Sequence, residues 1–148
     1  MKATRLLISM CCVWFAAATA ANAANDFSDY SGFGSASSNQ VSSIKIGATT
    51  DNESAITANA TATGDDSTGN DDEDGVTVPS SIVTGTSGSL TVNVSNSSGA
   101  TVYLNVWIDY NRNGVLTDSG EQIAANTVIA TGTSNSNRTV NFTVPATA

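Results

Sequence analysis

The chain has 148 residues, with 5 Lys and Arg against 13 Asp and Glu and no histidine, for a net charge of −8. Without histidine, catalytic triads built on an imidazole base are excluded and the commonest zinc ligand is missing. So acidic a surface disfavours nucleic acid as a partner, because phosphate contacts need clustered Lys or Arg.

The first residues read as an export signal. Lys2 and Arg5 give a positive start, an apolar run fills residues 6–18, and Ala21, Asn22 and Ala23 form a small-residue cleavage site. The run is short for a membrane span of ~20 residues. We therefore expect a signal peptide over 1–23, cut after Ala23, with Ala20 as the alternative. A lipoprotein signal would need a small residue before Cys11, and Met10 stands there. The expected location is extracellular or cell surface after Sec-type export, with the periplasm as the alternative. Cys11 and Cys12 both fall in the signal, so the mature chain has no disulfide and no expected membrane span. It keeps Lys45, Arg112 and Arg138 beside all thirteen acids, which leaves −10.

Residues 24–42 are rich in Ser, Gly and Asn and carry Phe27, Tyr30 and Phe33, an irregular lead-in. Residues 43–148 read as one β domain. Ile44 and Ile46 share one face of a short strand. Residues 49–74 make a long polar loop ending in six carboxylates: Asp65, Asp66, Asp71, Asp72, Glu73 and Asp74. Like charges this crowded will not fold unaided, and a loop this long in a compact domain is usually functional or disordered. Strict alternation then takes over. Val76 and Val78 flank Thr77 before Pro79. Leu90, Val92 and Val94 form a second row, Val102, Leu104, Val106 and Ile108 a third, and Val140, Phe142 and Val144 a fourth. Each predicts a half-buried strand. Polar clusters at 84–89, 95–100 and 131–137 read as turns. No helical period of useful length occurs. The predicted fold is all-β, an antiparallel sandwich of immunoglobulin-like or jelly-roll-like type.

The third strand runs into a loop with ligand chemistry. Asp109, Asn111 and Asn113 alternate before Gly114, the Val115 carbonyl follows, and Asp118 and Glu121 add carboxylates. Short oxygen-bearing side chains around a glycine turn suit a hard cation, and a flexible mixed oxygen set favours calcium over magnesium. Glu121 falls one residue later than the bidentate glutamate of an EF-hand, and a strand replaces the entering helix. The plainer alternative is a tight polar turn, since Asp, Asn and Gly are also turn formers. Asp71, Asp72, Glu73 and Asp74 are secondary candidates, because a cation would relieve their repulsion. Trp107 and Tyr110 flank Asp109 and could form a sugar-stacking platform, with Tyr103 as a further ring. The alternative is that Trp107 packs within the sandwich.

From Asp26 onward the chain resembles the GEVED domain of bacterial extracellular and cell-surface proteins. Asp26 to Tyr30 with Gly34, Ser35 and Ala36 is similar to the family's opening motif, though without its usual Gly-Asp-Ala-Pro portion. Ile46 to Asp51 is similar to the next stretch. Gly64 to Asp66 with Asn70 to Val76 is similar to the acidic signature. Trp107 to Gly114 with Asp118 to Gln122 matches the most distinctive block. The family continues into another strand and its naming motif, so the domain is expected to be incomplete at Ala148. The resemblance implies location and architecture more than activity. The expected function is a non-enzymatic, calcium-stabilised surface module in architecture or adhesion. The alternatives are a carbohydrate-binding module and an N-terminal fragment of a larger surface protein with no activity of its own. Expected partners are calcium ions and either a surface glycan or another surface protein.

Overall fold

The computed structural model describes the backbone of residues 25–27, 37–39, 43–48 and 75–146, and the side chains of residues 43–48 and 75–146. The expected export signal over 1–23, most of the lead-in and the acidic run with Asp71, Asp72, Glu73 and Asp74 lie outside the described residues. Every regular element described is a strand. They are β1 (Asn25–Phe27), β2 (Ser37–Asn39), β3 (Ile44–Ile46), β4 (Val76–Thr77), β5 (Ser87–Asn96), β6 (Val102–Trp107), β7 (Gln122–Ile129) and β8 (Thr133–Thr143).

The central pairing is β5 with β8, antiparallel from Ser87 opposite Thr143 to Asn96 opposite Thr133, with a bulge between Val94 and Asn96. Alternation explains it. Leu90, Val92 and Val94 point to the same side as Val140, Phe142 and Val144, and all six are buried. The intervening Ser, Thr and Asn face solvent, the pattern of a sheet with one wet face.

The opposite edge of β5 is shared by two short strands. β3 pairs with Val94 to Asn96, and β4 pairs with Thr91 and Val92. They meet at Asn93. Its carbonyl accepts from the Gly47 amide at 3.0 Å, and its own amide donates to the Gly75 carbonyl at 2.7 Å. The chain thus leaves the sheet edge at Gly47 and rejoins it at Gly75, opposite one residue. Only a glycine fits at 75, because a Cβ there would collide with the Gly47 nitrogen and with Ile46.

β6 and β7 form the second sheet, antiparallel, with register shifts either side of Val106. Val102, Leu104, Val106 and Ile108 close on the β5 and β8 rows, with Ile129 from β7, into one apolar core. Burial of each such side chain contributes about 1.5–3 kcal/mol. Asn96 is the polar exception and is fully buried. Its amide donates to the Ile129 carbonyl at 3.0 Å and to the Ala100 carbonyl at 2.8 Å. Its oxygen accepts from the Ser98 amide and hydroxyl. One side chain therefore ties the β5–β6 turn to the end of β7.

Three elements differ from expectation. β7 had no predicted counterpart, because its alternation breaks where Asn126 takes φ of 51°. The Asn126 amide is held by Asn105 Oδ1 at 2.9 Å. Of the residues read as a turn over 131–137, only Thr131 and Gly132 turn; Thr133 begins β8, whose polar first half extends past the core while its backbone stays paired to β5. Val78 does not continue β4 and is 46% exposed. In the lead-in, β1 and β2 pair antiparallel, Asn25 opposite Asn39.

Candidate cation-binding loop

The loop is closed at its neck by the backbone of Ile108, whose amide donates to the Glu121 carbonyl at 2.9 Å. Ile108 is fully buried, so the neck is anchored in the core. Beyond it, the chain turns on Arg112 (φ 60°) and Gly114 (φ 76°). Asp109 holds the turn, with Oδ1 accepting from the Asn113 amide at 3.3 Å and Oδ2 from the Gly114 amide at 2.9 Å. Asn111 Oδ1 also accepts from the Asn113 amide at 3.0 Å, and Asn113 Oδ1 from the Val115 amide at 2.7 Å. The two carboxamide nitrogens converge on Asp118 Oδ2, at 2.8 Å from Asn111 and 2.7 Å from Asn113.

Glu121 lies beneath this ring. It is 2% exposed, and its Oε1 accepts from the Tyr110 amide at 3.2 Å. Its Oε2 is buried with no hydrogen-bond partner. Burial pushes its carboxyl above the usual range. Asp109 and Asp118 add to that, against backbone donors at Tyr110 and Asn111 that pull it down. Tyr110 is buried too, its hydroxyl has no partner, and burial and then Glu121 push its hydroxyl pKa up.

Asp109, Asn111, Asn113 and Asp118 are therefore joined by hydrogen bonds, with Glu121 at the floor. Val115 takes part through its amide, and its side chain is exposed. Among the described residues, no three His, Cys, Asp or Glu side chains already form a metal-binding group. Both Asn nitrogens must turn away from Asp118 Oδ2 before a cation could take that oxygen, because an N–H of each faces it. The orphaned Glu121 oxygen is the feature that the loop's own hydrogen bonds leave unanswered. A buried carboxylate oxygen without a donor is costly, and either a proton or a bound cation offsets it.

The aromatic residues are placed differently from a sugar platform. Tyr110 is 6% exposed and Trp107 is half-buried, so they do not present a pair of open rings, while Tyr103 is 46% exposed. The signal was present in the sequence: Tyr110 continues the two-residue period of Val102, Leu104, Val106 and Ile108 into the core. The burial of Glu121 had no such signal. It follows from the neck bond, which draws residue 121 back beside Ile108.

Residues 103–148 match the GEVED domain. The GEVED segment takes in most of β6, the whole Asp109–Glu121 loop, β7 and β8, so the loop is internal to the matched region. The earlier likenesses, from Asp26 to Asp51 and from Gly64 to Val76, fall outside it. No curated protein and no solved structure matches the chain. Among the described residues, no helix is long and apolar enough to cross a membrane.

Proposed function

We propose that this chain is an exported, non-catalytic β-sandwich module of cell-surface architecture or adhesion, whose 109–121 loop is fixed by calcium. The GEVED match supports a surface-associated module. The observation that carries the calcium reading is Glu121, a 2%-exposed carboxylate with one unpartnered oxygen beside Asp109. Asp109, Asp118 and Glu121 supply negative charge, and Asn111, Asn113 and the Val115 carbonyl supply neutral oxygens. That mixture suits calcium, which accepts six to eight oxygens in adaptable geometry. A loop at the end of a paired strand makes the ion a fixed clip between β6 and β7.

Calorimetric melting in millimolar calcium and in chelator tests this. Binding at a hundred times Kd adds ~2.7 kcal/mol, a rise of the order of 10 °C for a domain of this size. Glu121→Gln is expected to abolish the rise. A melting temperature indifferent to calcium at every concentration would refute the ion while leaving the fold and the surface role standing.

A further inference from the structure

Asn113 and Gly114 form the one Asn-Gly pair of the chain. Both are exposed in the 109–121 loop, and Gly114 has φ of 76°. Such a pair can react with itself. Once it has given up its proton, the Gly114 nitrogen can attack Asn113 Cγ. The N–Cγ bond forms, the Cγ–Nδ2 bond breaks, and Nδ2 leaves as ammonia with the proton that the backbone gave up. Water then opens the five-membered imide at either carbonyl, leaving aspartate or isoaspartate at 113. Glycine favours the closure, because no Cβ shields its nitrogen or restricts its backbone.

The loop's hydrogen bonds fall on the reacting atoms. The Gly114 amide donates to Asp109 Oδ2 at 2.9 Å. The nucleophile is the amide anion, and a carboxylate at that distance opposes it twice. It holds the proton on nitrogen, and its own charge repels the one that would form. Asn113 Nδ2 donates to Asp118 Oδ2 at 2.7 Å, and Asn113 Oδ1 accepts from the Val115 amide at 2.7 Å. The carboxamide is therefore pinned at both ends. One of these contacts works the other way: the Val115 N–H stabilises charge on Oδ1 as Cγ becomes tetrahedral. The carbon is already polarised for attack, and what is withheld is the nucleophile. Asp109 withholds it.

We propose that Asn113 is a self-modification site of this loop, held unreacted by Asp109, and that release of the Gly114 amide from that carboxylate licenses its one-way conversion to aspartate or isoaspartate. The conversion does not reverse, because ammonia is lost, and it sets a carboxylate against Asp118 where a donor stood. This chemistry needs no bound ion, so it is followed in chelator. The full chain is held in mildly alkaline buffer, folded and in urea, and conversion at Asn113 is read by peptide mass mapping. Asp109→Asn is compared with it, since that change keeps an oxygen for the Gly114 amide and removes the charge. A charge-assisted hydrogen bond corresponds to about one to two powers of ten in a rate. The folded native chain is therefore expected to convert about tenfold or more slowly than the chain in urea, and Asp109→Asn about tenfold or more faster than the folded native chain. Amide hydrogen exchange separates this from general loosening of the loop: in the variant, exchange at Gly114 rises with conversion while exchange at Val115 stays native. If the variant does not fold, the native chain folded against unfolded decides. A native chain that converts as fast folded as in urea, an Asp109→Asn variant that converts at the native rate, or exchange that rises equally at Gly114 and Val115 would each overturn the proposal.

Discussion

Replacing Asn96 by alanine tests how the two sheets are tied together. The side chain is fully buried and uses both its amide hydrogens and its oxygen. The bond to Ile129 lies in the interior, and leaving that carbonyl without a donor costs about 1–3 kcal/mol. The bonds at Ala100 and Ser98 lie nearer solvent, where water replaces them, so each contributes ~0.5–1.5 kcal/mol. The expected loss is about 2–4 kcal/mol, a large share of the ~5–15 kcal/mol available to a domain. In urea this moves the unfolding midpoint down by about 1–2 M. Trp107, half-buried at the end of β6, reports the transition by fluorescence. Asn96→Asp is expected to be worse than alanine, because a carboxylate there faces two carbonyls with no hydrogen to offer them. An alanine variant within about 0.5 kcal/mol of the native chain would refute the tie, as would an Asp variant of native stability.

Other substitutions test other joints. Gly75→Ala drives a methyl into the Gly47 and Ile46 backbone, and a loss of about 1–3 kcal/mol or more is expected by thermal melting. Gly88→Ala brings a Cβ to 2.9 Å from the Phe142 ring, so a smaller loss of about 1 kcal/mol is expected, recovered in part when Phe142 is also changed to leucine. Leu90→Ala is expected to cost about 2–5 kcal/mol in equilibrium unfolding, since Leu90 is 1% exposed at the centre of β5. Tyr103→Ala, at an exposed position, is expected to leave the melting temperature within a degree or two.

The core was legible because it is written in period two. Leu90 to Val94, Val102 to Ile108 and Val140 to Val144 all occupy the buried rows that their alternation assigns. What escaped is held by backbone rather than by side-chain pattern. β7 carries a bulge that throws its alternation out of step. The first half of β8 is Thr, Ser and Asn on both faces, which reads as a turn until its pairing with β5 is known. In the loop, the spacing of Asp109, Asn111 and Asn113 anticipated a common cluster, and these residues do hydrogen-bond together with Asp118. The depth of Glu121 was not legible, because it depends on a neck bond between residues far apart in the period. Tyr110 was legible in principle, as the next member of the row that begins at Val102.

The handover at Asn93 bears on how this molecule can change over generations. Gly47 and Gly75 leave and rejoin the sheet at a single residue, so the span between them is clamped at both ends whatever its contents. Closing a longer excursion costs little, about 0.6 kcal/mol for each doubling of length. Because both ends are held on Asn93, the register of β3 and β4 on β5 does not depend on how many residues separate Gly47 from Gly75. Selection on those two glycines is therefore selection on the sheet edge itself, separable from selection on the sequence between them.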